Sequence, residues 1–337
     1  FAELPGFYLG QGIPGLSQEL FDSLNSQRYF TVYPPINQGI FWLSVVVSDN
    51  WLVSAGVIRL FLLSADLVAF YFIRKILIER GGNQNLAFLF FLNPLVILEG
   101  VGNLHFEVMV CAFLAFGIYF FYKKKAVSVG VGFGLAIGTK LLPLIFIPYF
   151  FFKEILSKKI LMTFSIVLIT LVSIAPLLNA AFIEGLQSSL GLYFTNFEFN
   201  ASLFGVAREL SVEATGYNKI KIIGPIFSIA SAVGILAVSF LGARRNMKVE
   251  TILLLALVVY LAFATTVHPW YILPLVLFGI LSGYVFPIIW SLMIFITYAG
   301  YSAEGYSLHW FWIALEYIIV VLSFIFNDRI KKWLTIS

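Results

Sequence analysis

Long apolar runs separated by brief polar punctuation recur along almost the whole chain. Segments 53–73, 85–101, 106–122, 126–139, 141–152, 160–180, 222–242, 250–267, 270–284, 285–299 and 310–327 each read as a helix. A run of about 18 or more apolar residues is long enough to cross a bilayer. In lipid every backbone polar group must be satisfied within the segment, and no period-two alternation marks a closed barrel, so the spans are helices. The pattern predicts an all-α polytopic membrane protein with about 10–12 transmembrane helices of uneven length. Residues 1–337 form one integral-membrane domain: an outer loop over 1–50, a first helix group over 51–180, an outer loop over 181–221 and a second helix group over 222–337. Segment 36–48 is too short to cross and reads as a helix along the outer interface, where Phe41 and Trp42 suit the depth.

Composition sharpens this. The chain is 61% hydrophobic and 11% charged, against about 25% charged in soluble domains. Five clusters of three hold fifteen of the 21 Lys and Arg: Arg74/Lys75/Arg80, Lys123–Lys125, Lys153/Lys158/Lys159, Arg244/Arg245/Lys248 and Arg329/Lys331/Lys332. All sit at helix ends, which is a topology signal and argues against a nucleic-acid surface despite the net charge of +4. With the clusters placed in the cytoplasm, His105, His268 and His309 all fall at outer ends, and chemistry is expected there. The lone Cys111 excludes a disulfide framework. Residue 1 is Phe within a loop-like FAELPGFYLGQGIPG, so the chain is expected to begin inside a loop whose preceding helix is missing.

A charge at a helix centre costs about 2.5–3.5 kcal/mol on insertion scales, so each polar group in these runs needs a reason. Lys140 reads as a fixed cation for a phosphate or as a lysine snorkelling to the interface. Gly130, Gly134 and Gly138 before it recur every four residues, a small-residue packing stripe; no P-loop ending is spelled. His105 and Glu107 open a helix, where Glu107 is favoured by the exposed N–H groups; the pair reads as a cap or as a metal or phosphate contact. His268-Pro269-Trp270-Tyr271 breaks a helix pair, as an aromatic belt or as a contact for a sugar or polyprenyl chain. Arg59 and Asp66 share a helix face, with a structural role favoured. Arg208, on an amphipathic outer segment, suits a lipid headgroup or an anionic substrate.

The order Tyr33-Pro34-Pro35-Ile36, Arg59, Asn93-Pro94, Asn103-Leu104-His105-Phe106-Glu107, Lys140-Leu141-Leu142-Pro143 and His268-Pro269-Trp270-Tyr271 resembles the GT-C superfamily of integral-membrane glycosyltransferases. Within it the chain is most similar to bacterial polyprenyl-phosphate-mannose-dependent mannosyltransferases and their aminoarabinose-transferase relatives. The resemblance implies transfer of a hexose, with mannose favoured, from a polyprenyl-phosphate sugar to a lipid or glycan acceptor of the cell envelope. It implies inversion, an active site on the extracytoplasmic side of the bacterial cytoplasmic membrane, and membrane lipid as a partner. The substrate and phosphate site would comprise Lys140, His105, Glu107, His268, Tyr271, Trp270, Arg208 and Tyr33. The leaving phosphate needs cations or a metal to take up its developing charge, and a divalent ion, Mg or Mn, is one option, with His105 and Glu107 as its ligands. The family's catalytic carboxylate follows a first helix; Glu3, Glu19 and Asp22 do not occupy that place, so the general base is expected upstream of residue 1. The rivals are a transporter or flippase of a lipid-linked sugar, and an O-antigen-type polymerase. A transporter would gather its polar groups at the bilayer midplane, often in inverted repeats; these groups gather at outer ends.

Overall fold

The computed structural model describes residues 3–13, 15–24, 27–31, 33–177, 185, 197–302 and 305–333. Among these the regular structure is helical apart from one two-stranded hairpin and an isolated bridge. After two short helical segments come α1 (Pro35–Val47), α2 (Trp51–Glu79), α3 (Gln84–Phe91) and α4 (Val96–Gly102). Next are α5 (Glu107–Tyr122), α6 (Ala126–Thr139), α7 (Leu142–Lys153) and α8 (Leu156–Ile174). The amphipathic α9 (Leu203–Thr215) precedes α10 (Ile220–Arg244), α11 (Val249–Phe263), α12 (Pro269–Ser282) and α13 (Phe286–Gly300). The hairpin β1 (Tyr301–Ser302) and β2 (Gly305–Tyr306) leads to α14 (Trp310–Ile325) and α15 (Asn327–Trp333). Much of the expected outer loop 181–221 lies outside the described residues.

The architecture is that of an all-α polytopic membrane protein. Among the described residues α2, α8 and α10 are each long and apolar enough to cross alone, and eight further apolar helices run 10–17 residues. Segment 85–101, expected as one helix, is instead α3 and α4, bent by 60°. The break is at Asn93-Pro94: Pro94 has no N–H to give and disfavours helical geometry at the residue before it. Asn93 satisfies the exposed ends, accepting from the Leu95 N–H at 2.9 Å and donating to Ser291 Oγ of α13 at 2.9 Å. Helices α7 and α12 likewise open on tight 3-10 turns at Pro143 and Pro269.

The glycine stripe of α6 is a packing surface. A Cβ on Gly130 would lie 2.6 Å from the Met162 carbonyl and Ser165 Cβ of α8, and one on Gly134 would lie 3.0 Å from Ile169. At Gly138 it would meet Ile36 of α1 at 2.8 Å. Where side chains are absent, backbones can approach closely, and that contact holds a helix pair together in lipid.

The basic clusters converge on one end of the bundle. Lys123 donates to Glu79 at 2.5 Å, and Lys153 to Asn246 at 2.6 Å. Arg80 joins the buried Glu250 and the Leu281 carbonyl, Tyr122 donates to Glu250 at 2.7 Å, and Lys331 lies against Gly283. Elsewhere a buried cluster ties α13 and α14 to the segment before α9: Glu316 accepts from Trp290 Nε1 at 2.8 Å and from Asn200 Nδ2 at 3.1 Å, while Tyr317 donates to the Asn200 carbonyl at 2.7 Å. Asn200 takes a left-handed φ of 47° to do this. Arg59 and Asp66 do not meet. The Arg59 guanidinium donates to the carbonyls of Val101 and Gly102 at 3.1 and 3.2 Å, capping the end of α4 whose carbonyls have no helical partner.

Candidate active site

The site forms where α4, α5, α6 and α12 present their ends together. Helix α4 is a π-helical turn, a rare geometry that often marks functional positions. The chain then reverses through Leu104, whose φ of 62° is left-handed; for a residue bearing a Cβ this costs about 1–2 kcal/mol. The reversal lets the His105 N–H donate to the Glu99 carbonyl at 3.0 Å and sets His105 Nε2 3.4 Å from Glu99 Oε2. Glu107, in the first turn of α5, is buried and ion-paired with Lys140, the residue that ends α6. Lys140 Nζ also lies 5.7 Å from the centre of the Tyr271 ring.

His105 stacks on Trp270 at 3.7 Å between centroids and 21° between planes, and His268 does so at 4.3 Å and 18°. Two imidazoles this close and this parallel to one indole cannot share a face, so Trp270 is sandwiched between them. Burial, and secondarily the charges of Lys140 and His268, push His105 down to about 3; burial and Lys140 push His268 down to about 4. Both rings are therefore neutral at physiological pH. Outside the sandwich, Phe199 lies 4.8 Å from His268. It is fixed there by a parallel bridge, with its N–H donating to the Thr265 carbonyl at 3.1 Å and its carbonyl accepting from Val267 at 2.8 Å.

These groups open onto a cavity of about 440 Å³. Tyr33, His105, Lys140, Thr265, Thr266, Trp270 and Tyr271 line it, and the apolar share comes from Leu142 and Ile145 of α7, Ala232 and Ile235 of α10 and Phe263 of α11. The structure thus gathers His105, Lys140, Trp270, Tyr271 and Tyr33 around one space, with Glu107 directly behind Lys140 and His268 behind Trp270. Arg208 is elsewhere: it is paired with Glu198 at 3.0 Å and with Glu209 on α9, and does not line the cavity. Glu3, Glu19 and Asp22 do not line it either. His309 caps α14, accepting from the Phe311 N–H at 3.3 Å.

The residues do not fit the expected metal site. Glu107 faces an ammonium and His105 faces Glu99, and among the described residues no group of three or more His, Cys, Asp or Glu could hold an ion. Sequence reasoning missed the part played by Glu99. Its Oε1 accepts from Asn103 Nδ2 at 3.1 Å and from the Tyr298 hydroxyl, and it is fully buried. The signal was there: a carboxylate inside the run FLNPLVILEGV calls for a partner.

The N-terminal part of the site, from Tyr33 through Lys140 to Ile145 of α7, falls within one stretch that resembles a known family. Residues 27–153 match the alpha-(1->6)-mannopyranosyltransferase family, N-terminal domain. The match supports a glycosyltransferase of the mannosyltransferase type. It takes in Tyr33, Glu99, His105, Glu107 and Lys140, whereas Thr265, Trp270 and Tyr271 lie beyond it. No curated protein matches the chain.

Proposed function

We propose that the cavity transfers a mannosyl residue, with inversion, from a polyprenyl-phosphate mannose to a hydroxyl of a lipid-linked or cell-envelope acceptor. One observation carries this reading: a single cavity joins an ammonium and neutral hydrogen-bonding rings to apolar walls from α7, α10 and α11. That is the chemistry of an amphiphile with an anionic, sugar-bearing head and a hydrocarbon tail. Lys140 offers three donors and spends one on Glu107. In the transfer the acceptor oxygen bonds to the anomeric carbon as that carbon's bond to the phosphate oxygen breaks, and the acceptor proton passes to a base. The electron pair leaves on the phosphate, and Lys140 stabilises the charge that develops there. The convergence of the basic clusters at the opposite end supports an extracytoplasmic site in the cytoplasmic membrane. No nucleotide fold or basic nucleic-acid surface enters this scheme.

The test uses the full chain reconstituted in liposomes with membrane acceptor lipids. Labelled mannose should move to product from polyprenyl-phosphate mannose and not from a nucleotide-linked mannose. Transfer from the nucleotide donor alone overturns the reading.

A further inference from the structure

Resting on that reading, we propose that Glu99 is a positioning residue for sugar transfer. It holds His105 with Nε2–H toward its own carboxylate, so that Nδ1 is presented to the cavity as an acceptor for a substrate hydroxyl.

Four observations converge on it. Glu99 is fully buried and lies in the π-helical turn of α4. Its two oxygens are treated differently: Oε1 takes two donors, Tyr298 and Asn103, while Oε2 meets no hydrogen-bond donor and faces His105 Nε2 at 3.4 Å. Two donors on one carboxylate oxygen orient the group and leave the other oxygen for a single incoming N–H. The left-handed Leu104 and the His105 N–H bond to the Glu99 carbonyl bring the imidazole back to that oxygen. A left-handed non-glycine residue persists only where its surroundings over-determine it. Finally, His105 lines the cavity and Glu99 does not, so Glu99 meets the cavity through the ring it faces.

The chemistry follows from the two ring nitrogens of a neutral imidazole, of which one donates and the other accepts. A carboxylate on Nε2–H fixes the tautomer and leaves the Nδ1 lone pair for a hydroxyl. Stacking on Trp270 fixes the ring plane. Tautomer and plane together define one direction of acceptance, which is what selecting one hydroxyl of a sugar requires.

The test is nitrogen NMR of the full chain, labelled with 15N-histidine, in nanodiscs without substrate. Only three histidines contribute, and loss of one pair of ring-nitrogen signals in His105→Gln assigns the site. In the wild-type protein His105 should be protonated on Nε2 with Nδ1 bare. A proton on Nδ1 would mean that the acid proton sits on Glu99, and would overturn the proposal without any variant. In Glu99→Gln the amide keeps an oxygen for Tyr298 and Asn103 and turns an N–H toward His105. The tautomer should switch to Nδ1–H, and kcat should fall about 10–100-fold, as for loss of other buried orienting groups, with the donor KM changed less than about threefold. Unchanged turnover in a folded Glu99→Gln protein overturns the proposal. The tautomer is read without substrate, so it decides the Glu99–His105 geometry even if the wild-type protein transfers no mannose. That outcome would defeat the functional reading separately.

Discussion

Lys140 and Glu107 show at the residue scale what a sequence displays and what it hides. Each is conspicuous alone, an ion in an apolar run, but 33 residues separate them and nothing local indicates that they pair. Glu107 is almost wholly enclosed, so Lys140→Met strands a buried carboxylate. The expected destabilisation is toward the lower end of about 3–5 kcal/mol, because the lysine side chain keeps 22% of its exposure. Adding Glu107→Gln should restore most of it, which thermal unfolding in nanodiscs measures; no recovery would show that the two side chains are not coupled. The stacked imidazoles give a pH prediction. His105 and His268 are held at about 3 and 4 in the folded protein, against about 6.5 unfolded. Between those values the unfolded chain binds more protons, so stability falls as pH drops below about 6.5 and levels off near 3. The loss in melting temperature between pH 7 and pH 5 should shrink in His105→Gln, where one such group is gone.

Apolar runs locate most helices with boundaries close to those observed, because length and hydropathy decide them and neither needs tertiary information, although α2 runs on to Glu79 and α8 spans Leu156–Ile174. The departures have local causes. Asn93-Pro94 splits 85–101 into α3 and α4 by withholding an N–H. Tyr301–Ser302 and Gly305–Tyr306 pair as two short strands because these polar and aromatic residues lie beyond the end of the α13 run. The four-residue glycine repeat was legible as packing, but its partner was not: α8 and α1 could be named only from the fold. Gly130→Ala places a Cβ 2.6 Å from the α8 backbone and should cost about 1–3 kcal/mol, since the helices must separate. Gly134→Ala, with its nearest atom at 3.0 Å on a side chain, should cost less. Unfolding midpoints of the two variants check the order.

Across the whole molecule, the five basic clusters and the candidate site occupy opposite ends, a polarity that the charge bias along the sequence predicts. The proposed orientation is testable because Cys111 is buried and silent to labels. An impermeant maleimide applied to intact cells should label Ser307→Cys, at the site end, and should label Lys125→Cys only after permeabilisation; the reverse pattern would turn the molecule over. What no sequence pattern supplied is the cavity itself, since its walls come from α7, α10, α11 and α12, and its polar groups from positions between Tyr33 and Tyr271. The most direct test of the central claim is mannose transfer from polyprenyl-phosphate mannose by the Lys140→Met/Glu107→Gln protein. That variant removes the cation without leaving a buried charge. Transfer should fall at least about 100-fold relative to the wild-type chain, the scale of losing an electrostatic donor at a leaving group; transfer within about twofold of wild type would contradict the account.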